Sequence, residues 1–377
     1  MGTKKQRLFG TDGVRGVANS ELSSQVAYDL ARAAGSQVDG HVVIGRDTRR
    51  SGPMLSSAAS AGFNAVGVDV VDLGIIPVGA VSRIGRDTGA SLGVMVSASH
   101  NPAEDNGIKF FGKDGAKLTD EGEASIEDRY FSDDHYSRPV ASKVGIQTRM
   151  HNPVERYVDR VSNTVDYSMR GLEFFVDCAN GAAFEAAPAL FEKVGATVGV
   201  IAAEPNGMNI NDGVGAMHPE AVAKAANGHI GLAFDGDADR LIAVDEDGVA
   251  VNGDVIMAIF ANWQHERGKL KNDIVVATVM SNLGFHQAME RIGVSVAVTP
   301  VGDRQVVEEM RRTQAVVGGE QSGHILLEDR STGDGLRSAL RLMEVIASTG
   351  KELRELRNGM TEMPQVLTNV KVGSKDG

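Results

Sequence analysis

The stretch SLGVMVSASHNP, residues 91–102, passes from an apolar, β-branched run into a cluster of hydroxyl groups and one imidazole. A short apolar run of this kind predicts a buried strand. Similar runs recur along the chain and alternate with amphipathic helical stretches, which is typical of parallel sheets covered by helices. The stretch therefore predicts an α/β protein with a polar loop at the end of a buried strand.

The same order of elements recurs in three regions of the chain. The predicted strands are residues 41–47, 66–74, 91–98 and 107–112, then 173–181, 197–203, 230–236 and 241–248, then 273–279, 294–300, 315–320 and 324–329. Helices are predicted near 23–35, 51–65, 183–195 and 219–227. We therefore predict three tandem α/β domains of similar topology, with mixed, largely parallel sheets around a central cleft.

The predicted domains are residues 1–150, 151–253 and 254–367. A chain of 377 residues exceeds what one hydrophobic core usually organises, which agrees with several domains. The tail from residue 366 reads as one strand followed by polar residues. Residues 368–377 are therefore expected to begin a further domain that this chain lacks.

Composition limits the possible partners and the compartment. The formal net charge of -12 argues against general nucleic-acid binding, which needs a basic face. No apolar run approaches the roughly 18 residues of a membrane-spanning helix, and no signal pattern appears at the N-terminus. Cys178 is the single cysteine, so no disulfide can form within the chain. We expect a cytoplasmic protein with neither a nucleic-acid partner nor a membrane.

The segment DGDADR, residues 235–240, indicates a metal site. In an extended segment Asp235, Asp237 and Asp239 can converge on one point, whereas on a helix they would fan apart. Carboxylates about 4 Å apart repel by roughly 4 kcal/mol per pair at an effective dielectric constant of 20. A bound divalent cation, Mg²⁺ or Ca²⁺, would relieve that repulsion. The alternatives are a solvated acidic turn and an EF-hand; Arg240 in place of the required glycine opposes the second.

Ser99 stands at the end of the strand at 91–98 and is followed by His100, with Lys109 on the next predicted strand. A serine hydroxyl is a weak nucleophile unless a base activates it or it already carries the group to be transferred. A cation held by the three aspartates could bind a phosphoryl oxygen on Ser99, which would join both motifs in one phosphoryl-transfer centre. The alternative is a hydroxyl that only caps backbone groups at the strand end.

Three further glycine-rich loops suggest an anionic sugar ligand. GGEQSGH, residues 318–324, contains Glu320, Ser322 and His324, whose polar groups suit sugar hydroxyls or a sugar amine. GDR, residues 302–304, and FGTDGVRG, residues 9–16, add Arg304 and Arg15. Each arginine alone reads as a surface residue, but together they favour a phosphate-bearing ligand.

With these motifs the chain resembles the α-D-phosphohexomutase family over its whole length, most closely the bacterial members that act on glucosamine phosphates. FGTDGVRG, SASHNP with NGIKFF, DGDADR and GGEQSGH occur in the family's order. The resemblance implies that Ser99 carries the phosphoryl group as a phosphoserine and that Mg²⁺ is bound by Asp235, Asp237, Asp239 and that phosphoserine. It also implies roles around the sugar and phosphoryl groups, which fall on Arg15, His100, Lys109, Arg240 and His324 as basic or acid/base residues, on Glu320 and Ser322 as sugar contacts, and on Gly302, Asp303 and Arg304 as a loop facing the sugar.

The implied reaction is an isomerisation of glucosamine 6-phosphate to glucosamine 1-phosphate through a bisphosphorylated sugar, with glucosamine or glucose 1,6-bisphosphate as intermediate or activator. That product feeds UDP-N-acetylglucosamine and cell-wall precursor synthesis. The alternatives are a phosphomannomutase/phosphoglucomutase, and a truncated, catalytically silent module that binds phosphosugars, because the family's fourth domain and its phosphate-gripping loop are missing from this sequence. The resemblance also implies a possible homodimer through the first domain.

Overall fold

The structure is a computed structural model that describes residues 7–10, 12–132, 136–328, 331–366 and 368. In these residues it contains three β-sheets flanked by helices, which confirms the predicted α/β class with mixed sheets. The strand predicted from residue 366 onward lies almost wholly outside the described residues. Among the helices that are described, none is both long and apolar enough to cross a membrane.

The first sheet and its helices occupy the N-terminal part of the chain. Its described strands are β1 (Val14–Val17), β2 (His41–Arg46), β3 (Asp69–Ile75), β4 (Leu92–Val96), β5 (Asp105–Phe111) and β6 (Gln147–Arg149), in the order β1-β5-β4-β2-β3-β6. The helices are α1 (Ser24–Gly35), α2 (Gly52–Ala65), α3 (Val78–Thr88) and α4 (Asp120–Tyr130). β5 runs antiparallel to both of its neighbours, whereas β2, β3, β4 and β6 run parallel.

The second sheet follows α5 (Pro153–Ser162). Its described strands are β7 (Glu173–Asp177), β8 (Thr197–Ile201), β9 (Ile230–Phe234), β10 (Leu241–Val244) and β11 (Ala250–Val251), in the order β11-β10-β9-β7-β8. The helices α6 (Ala183–Lys193) and α7 (Pro219–Ala226) connect the parallel strands.

The third sheet has the described strands β12 (Ile274–Thr278), β13 (Ser295–Thr299), β14 (Gly318–Gly319) and β15 (Ile325–Leu326), in the order β13-β12-β14-β15. Its helices are α8 (Gly253–Glu266), α9 (Leu283–Arg291), α10 (Asp303–Thr313), α11 (Gly335–Thr349) and α12 (Leu353–Arg357). Short 3₁₀ turns span Ala141–Lys143 and Lys271–Asp273.

The three sheets share one topology, as the sequence predicts. The first strand of each repeat is β2, β7 or β12, the second is β3, β8 or β13, and the third is β4, β9 or β14. In each sheet the first strand lies between the second and the third, and both pairings are parallel. The fourth strand then pairs antiparallel with the third, as β5 with β4, β10 with β9 and β15 with β14. The turn between the third and fourth strands therefore occupies an equivalent place in each repeat.

Some elements differ from the predictions. FGTDGVRG, residues 9–16, is predicted as a loop, but its second half enters β1, because Val14 pairs with Ile108 of β5. No helix is predicted in the acidic stretch 120–139, yet its first part forms α4, capped by the side chain of Thr119. The strands predicted at 315–320 and 324–329 are shorter, since only Gly318 of β14 pairs with β12.

A buried polar contact joins the three repeats. Asp334, the N-cap residue of α11, accepts hydrogen bonds from the Tyr157 hydroxyl at 2.6 Å and from Arg83 Nε at 3.3 Å. Tyr157 belongs to α5 and Arg83 to α3, and both are buried. One hydrophobic core runs through all three parts and includes Val81, Val158, Phe191, Phe260 and Leu340. The domain boundaries at 150, 253 and 367 stay a prediction.

Candidate active site

Three of the predicted sequence motifs lie in turns that join the third and fourth strands of their repeats. Residues 97–104 connect β4 to β5, residues 235–240 connect β9 to β10, and residues 320–324 connect β14 to β15. The last two turns touch directly, because Arg240 and His324 form an antiparallel bridge. A side-chain hydrogen bond joins the first two turns, because Ser99 Oγ donates to Asp235 Oδ2. The repeated fold therefore brings three distant segments of the sequence together.

Ser99 lies at the centre of this arrangement. Its Oγ donates a hydrogen bond of 2.5 Å to Asp235 Oδ2 and lies 3.3 Å from His100 Nδ1. The residue is 1% exposed and has a φ of 53°, in the left-handed region. A non-glycine residue held in such a conformation costs roughly 1–3 kcal/mol and is found preferentially at functional sites. The surrounding contacts must therefore hold this serine in place.

The three aspartates converge as the alternating pattern predicts. Asp235, Asp237 and Asp239 each offer a carboxylate oxygen, and these oxygens lie within 4.8 Å of one another. All three side chains are buried. Burial, together with the neighbouring Asp239 and Asp237 charges, raises the pKa of Asp235 well above its usual value. The cluster is therefore electrostatically crowded and suited to a cation.

Two observations fit this cluster to a divalent metal ion. Within the part of the chain that the structure describes, the Oδ1 atoms of Asp237 and Asp239 are buried and accept no hydrogen bond. An unsatisfied buried carboxylate oxygen is costly, and a metal ligand bond would satisfy it. The ligand set consists of oxygen atoms alone, which is the preference of Mg²⁺ and Ca²⁺.

Lys109 and Lys117 neutralise part of the carboxylate charge. Lys109 Nζ lies 2.8 Å from Asp237 Oδ2, 3.8 Å from Asp239 Oδ2 and 3.1 Å from Asp12 Oδ2. Burial alone would lower the pKa of Lys109, but Asp12 and Asp237 raise it above its usual value. Lys117 forms ion pairs with Asp12 and, at 2.8 Å, with Asp303 Oδ2. Both lysines are therefore ammonium ions at neutral pH.

His324 lies between two carboxylates. Its Nδ1 is 3.5 Å from Asp239 Oδ2, its Nε2 is 3.8 Å from Asp303 Oδ2, and the backbone N–H of Gly333 is 3.2 Å from Nε2. Burial would lower the pKa of His324, but Asp239 and Asp303 raise it to about 9. Asp303, a predicted site residue, is thus linked to the acidic cluster through His324.

The remaining predicted basic residues also lie near Ser99. Arg15 forms an ion pair with Asp12, and its Nη1 lies 3.4 Å from Asn101 Oδ1. The backbone N–H of Arg240 donates to Asp235 Oδ1 at 3.2 Å. Burial, followed by the charges of Arg240 and Arg15, lowers the pKa of His100 to about 4, so this imidazole is neutral at pH 7.

The predicted sugar contacts are only partly brought together. The Glu320 carboxylate accepts a hydrogen bond of 3.0 Å from the backbone N–H of Gly302, which joins two of the predicted loops. Ser322 Oγ is buried and has no hydrogen-bond partner among the described residues. Arg304 instead turns towards α4, where its guanidinium pairs with Asp120 and, at 2.8 Å, with Glu123. Two carboxylates therefore already neutralise the Arg304 side chain.

Several residues that support the site were not predicted from the sequence. Asp12 and Lys117 contact predicted site residues through ion pairs, and Asp47, Arg49 and Asn211 hold the loop that carries Ser99. The sequence does contain one signal for Asp47 and Arg49, which belong to the segment GRDTR, residues 45–49. Charged residues directly follow β2, the strand that lies beside β4, so their side chains emerge at the same edge of the sheet.

These features define a class of protein. A buried serine beside three metal-compatible carboxylates, surrounded by cationic side chains at the meeting point of three α/β repeats, is the machinery of phosphoryl transfer, which depends on positioning and charge neutralisation.

Comparison with known proteins identifies the family. Residues 6–137, 155–248 and 252–363 match models of the α/β/α domains I, II and III of phosphoglucomutase/phosphomannomutase. The chain belongs to the phosphoglucomutase/phosphomannomutase family, so the resemblance seen in the sequence motifs is confirmed. The predicted enzyme class, an isomerase of the phosphohexomutase type, is confirmed with it.

Individual proteins of this family are similar to the chain over most of its length. The chain is 49% identical to the phosphoglucosamine mutase of Moorella thermoacetica and 47% identical to that of Exiguobacterium sp., and each alignment covers 98% of this chain. The alignments cover 86% and 85% of the lengths of those two proteins, respectively. A crystal structure of a phosphoglucomutase/phosphomannomutase family protein from Burkholderia thailandensis matches with a TM-score of 0.83 at 29% identity, over 94% of this chain and 80% of that one.

A putative phosphomannomutase from Thermus thermophilus matches with a TM-score of 0.82 at 26% identity, over 93% of this chain and 82% of that one. A more distant structure, the N-acetylphosphoglucosamine mutase of Aspergillus fumigatus in complex with GlcNAc-6P and magnesium, has a TM-score of 0.65 at 18% identity. It covers 98% of this chain and 82% of its own, and it shows that the fold is shared.

Proposed function

We propose that this chain interconverts glucosamine 6-phosphate and glucosamine 1-phosphate through a phosphoserine at Ser99 and a bisphosphorylated sugar. The observation that carries the proposal is the hydrogen bond of 2.5 Å between Ser99 Oγ and Asp235 Oδ2, inside the cluster of three aspartates. The choice of amino sugar rests on the phosphoglucosamine mutases that are 47–49% identical to this chain. Phosphomannomutase/phosphoglucomutase activity is the less favoured alternative.

The reaction consists of two phosphoryl transfers of opposite direction. In the first, the P–O bond to Ser99 Oγ breaks and a P–O bond forms to a free hydroxyl of the sugar phosphate; the hydroxyl gives its proton to a base and the leaving Ser99 Oγ takes up a proton from an acid. After the bisphosphate reorients, its other phosphoryl group returns to Ser99 Oγ, which gives up its proton as the leaving sugar oxygen takes one up. Each cycle therefore regenerates the phosphoserine and needs no external donor.

Mg²⁺ is the proposed cofactor, held by Asp235, Asp237, Asp239 and the phosphoserine. It would supply positive charge next to the phosphoryl oxygens. Lys109 contributes a fixed charge of the same sign, since its ammonium lies 2.8 Å from Asp237 Oδ2. Arg15, His100 and Arg240 complete the set of basic groups around Ser99. The Arg15 guanidinium donates to the side chain of Asn101, which lies two residues after Ser99.

The proton transfers fall to groups close to the cluster. Without a bound cation, Asp239 and Asp303 raise the pKa of His324 to about 9 against the opposing effect of burial, and so favour its protonated form. It is therefore suited to donate a proton to a leaving oxygen. Lys109 is the second candidate, and its position next to Asp12 gives it a carboxylate neighbour outside the metal cluster.

The sugar is assigned to the loops of the third repeat. The proposed contacts are Glu320 and Ser322, with Gly302, Asp303 and Arg304 on the adjoining loop. The Glu320 carboxylate would pair with the sugar amine. A sugar hydroxyl at the same position would bind this carboxylate less strongly. Ser322 Oγ, buried and without a partner in the described residues, offers a hydrogen bond to a sugar hydroxyl.

Three further assignments stay predictions. They are a 1,6-bisphosphate as activator, a homodimer formed through the first repeat, and a cytoplasmic location. The phosphosugar substrate class agrees with the family to which the chain belongs.

The test combines the mass of the intact protein with a mutase assay. Wild type incubated with glucose 1,6-bisphosphate should gain the mass of one phosphoryl group, keep it through turnover with glucosamine 6-phosphate, and form glucosamine 1-phosphate. Ser99→Ala should show neither the mass gain nor turnover, while Ser57→Ala, at an exposed serine of α2, should behave as wild type. Mutase activity retained by Ser99→Ala would contradict the assignment.

A further inference from the structure

The backbone of the Ser99 loop is held by one buried arginine. Arg49 is fully buried, and its guanidinium uses all of its N–H groups. Nη2 donates to the carbonyls of Ser99 at 2.9 Å and Asn101 at 2.8 Å. Nη1 donates to the carbonyls of Pro102 and, at 2.9 Å, Asp105. A planar guanidinium can bind several fixed acceptors at once, which a lysine ammonium cannot do in the same geometry.

Asp47 completes this support. Its Oδ2 pairs with Arg49 Nε at 2.8 Å and accepts a hydrogen bond of 2.7 Å from Ser97 Oγ. Ser97 Oγ in turn accepts the backbone N–H of Ser99 at 2.9 Å. The ion pair therefore holds both the N–H and the carbonyl group of Ser99. Removing either partner of this fully buried ion pair would leave a buried charge without compensation, so the two side chains hold each other in place.

The second repeat holds the same two carbonyls from the other side. Asn211 Nδ2 donates to the Ser99 carbonyl at 3.0 Å and to the Asn101 carbonyl at 3.1 Å. Gly236, next to the first aspartate of the cluster, leaves no space, since a Cβ there would lie 2.4 Å from the Ser99 carbonyl oxygen. The loop is thus fixed between the two repeats whose side chains must meet.

From this geometry we infer that Asp47, Arg49 and Asn211 are positioning residues, which hold Ser99 in its left-handed conformation with Oγ directed at the aspartate cluster. The inference rests on the proposed phosphoserine function. None of the three side chains bonds to Ser99 Oγ; they act through its backbone. A displacement of about 1 Å at a reacting group can lower the rate about 100-fold, so such a clamp has a measurable effect.

The experiment compares Arg49→Lys and Asn211→Gly with wild type. Arg49→Lys keeps the charge beside Asp47 but cannot reach all the carbonyls. Asn211→Gly removes the amide at a residue whose φ is 58°, so glycine retains the backbone conformation. Thr48→Val is the matched control, because Thr48 Oγ1 also joins the first two repeats, through the Asn180 carbonyl at 2.5 Å, without touching the Ser99 loop.

In both clamp variants we expect kcat to fall about 100-fold, with the KM for glucosamine 6-phosphate little changed. Hydrogen exchange of the backbone amides at 97–106 should be faster than in wild type and in Thr48→Val. Equal exchange in all four proteins would overturn the inference whatever the turnover. A wild type that neither gains phosphate nor turns over, but whose clamp variants exchange faster, would contradict the proposed function and leave the clamp standing.

Discussion

The hydroxyl of Tyr157 donates a hydrogen bond of 2.6 Å to Oδ1 of Asp334, a residue 177 positions further along the chain. The same carboxylate accepts Arg83 Nε at 3.3 Å and the backbone N–H of Arg337 at 3.0 Å. Side chains from all three repeats therefore meet at a buried point beside the backbone of the aspartate turn, since the N–H of Gly335 donates to the carbonyl of Ala238 at 2.9 Å.

Tyr157→Phe should lower the free energy of unfolding by about 1.5–3 kcal/mol, because a hydrogen bond to a buried charged acceptor is lost without a change in volume. Activity should change little, since Tyr157 does not contact the aspartate cluster. Urea denaturation and steady-state kinetics would measure both. Tyr167→Phe, at a residue that is 43% exposed, is the control. A variant as stable as wild type would show that Asp334 needs no partner from α5.

Asp235→Asn should remove the stabilisation of the protein by Mg²⁺. Without metal the variant should be at least as stable as wild type, because one of three crowded acidic groups is replaced by a neutral amide. With Mg²⁺, wild type should melt several degrees higher and Asp235→Asn should not. Calorimetry with EDTA and with Mg²⁺ gives the comparison, and Asp247→Asn, in the turn that follows β10, should keep the full metal effect.

Glu320→Gln tests the preference for an amino sugar. The amide can still accept the Gly302 N–H but no longer offers a charge to the sugar amine, so the KM for glucosamine 6-phosphate should rise about 10-fold. The KM for glucose 6-phosphate should change much less. Steady-state kinetics with both sugars separates the two effects, and Gln321→Ala in the same turn serves as the control. Equal changes for both sugars would assign Glu320 to a hydroxyl.

Asp12→Asn should make stability less sensitive to acid. Burial alone would raise the pKa of Asp12, but Lys109, Lys117 and Arg15 reverse this and hold it well below its usual value. A carboxyl group whose pKa is lower in the folded state stabilises above its unfolded pKa, about 4, and loses that contribution as the pH falls further.

Urea midpoints of wild type and Asp12→Asn should therefore differ by a constant amount above pH ~5 and converge below pH ~4. Asp212→Asn, at an exposed aspartate, is the control and should show no such convergence. A difference that stays constant down to the lowest pH would mean that the Asp12 charge does not stabilise the folded state.

The sequence predicts most of the sheets because their central strands are continuous apolar runs between glycine and polar turns, as in 230–234. β1 was missed because it is four residues long and contains a glycine, and it becomes a strand only by pairing with β5. α4 was missed because its carboxylates mask a pattern in which Glu123 and Ile126 alone are buried. Tertiary pairing, which the local pattern does not contain, decided β1, whereas the N-cap residue Thr119 and the acidic first turn of α4 are local signals.

The meeting of Ser99 with the aspartates was predicted because alternating carboxylates and a strand-end serine each carry a chemical signal of their own. The support of that serine could not be predicted in the same way. Arg49 binds backbone carbonyls 50 to 56 residues away, and a carbonyl group leaves no trace in the sequence. Arg304 looked like a ligand for an anion, but its carboxylate partners on α4 are fixed only by the packing of distant repeats.

The equivalent turns of the three repeats have a consequence for biosynthesis. As the ribosome releases the chain, the serine emerges first, its carboxylate partners more than a hundred residues later, and His324 later still. A chain that contains only the first sheet includes Ser99 but lacks Asp235, Asp237 and Asp239. The proposed reaction needs residues from all three turns, so a chain that ends before His324 should not interconvert sugar phosphates.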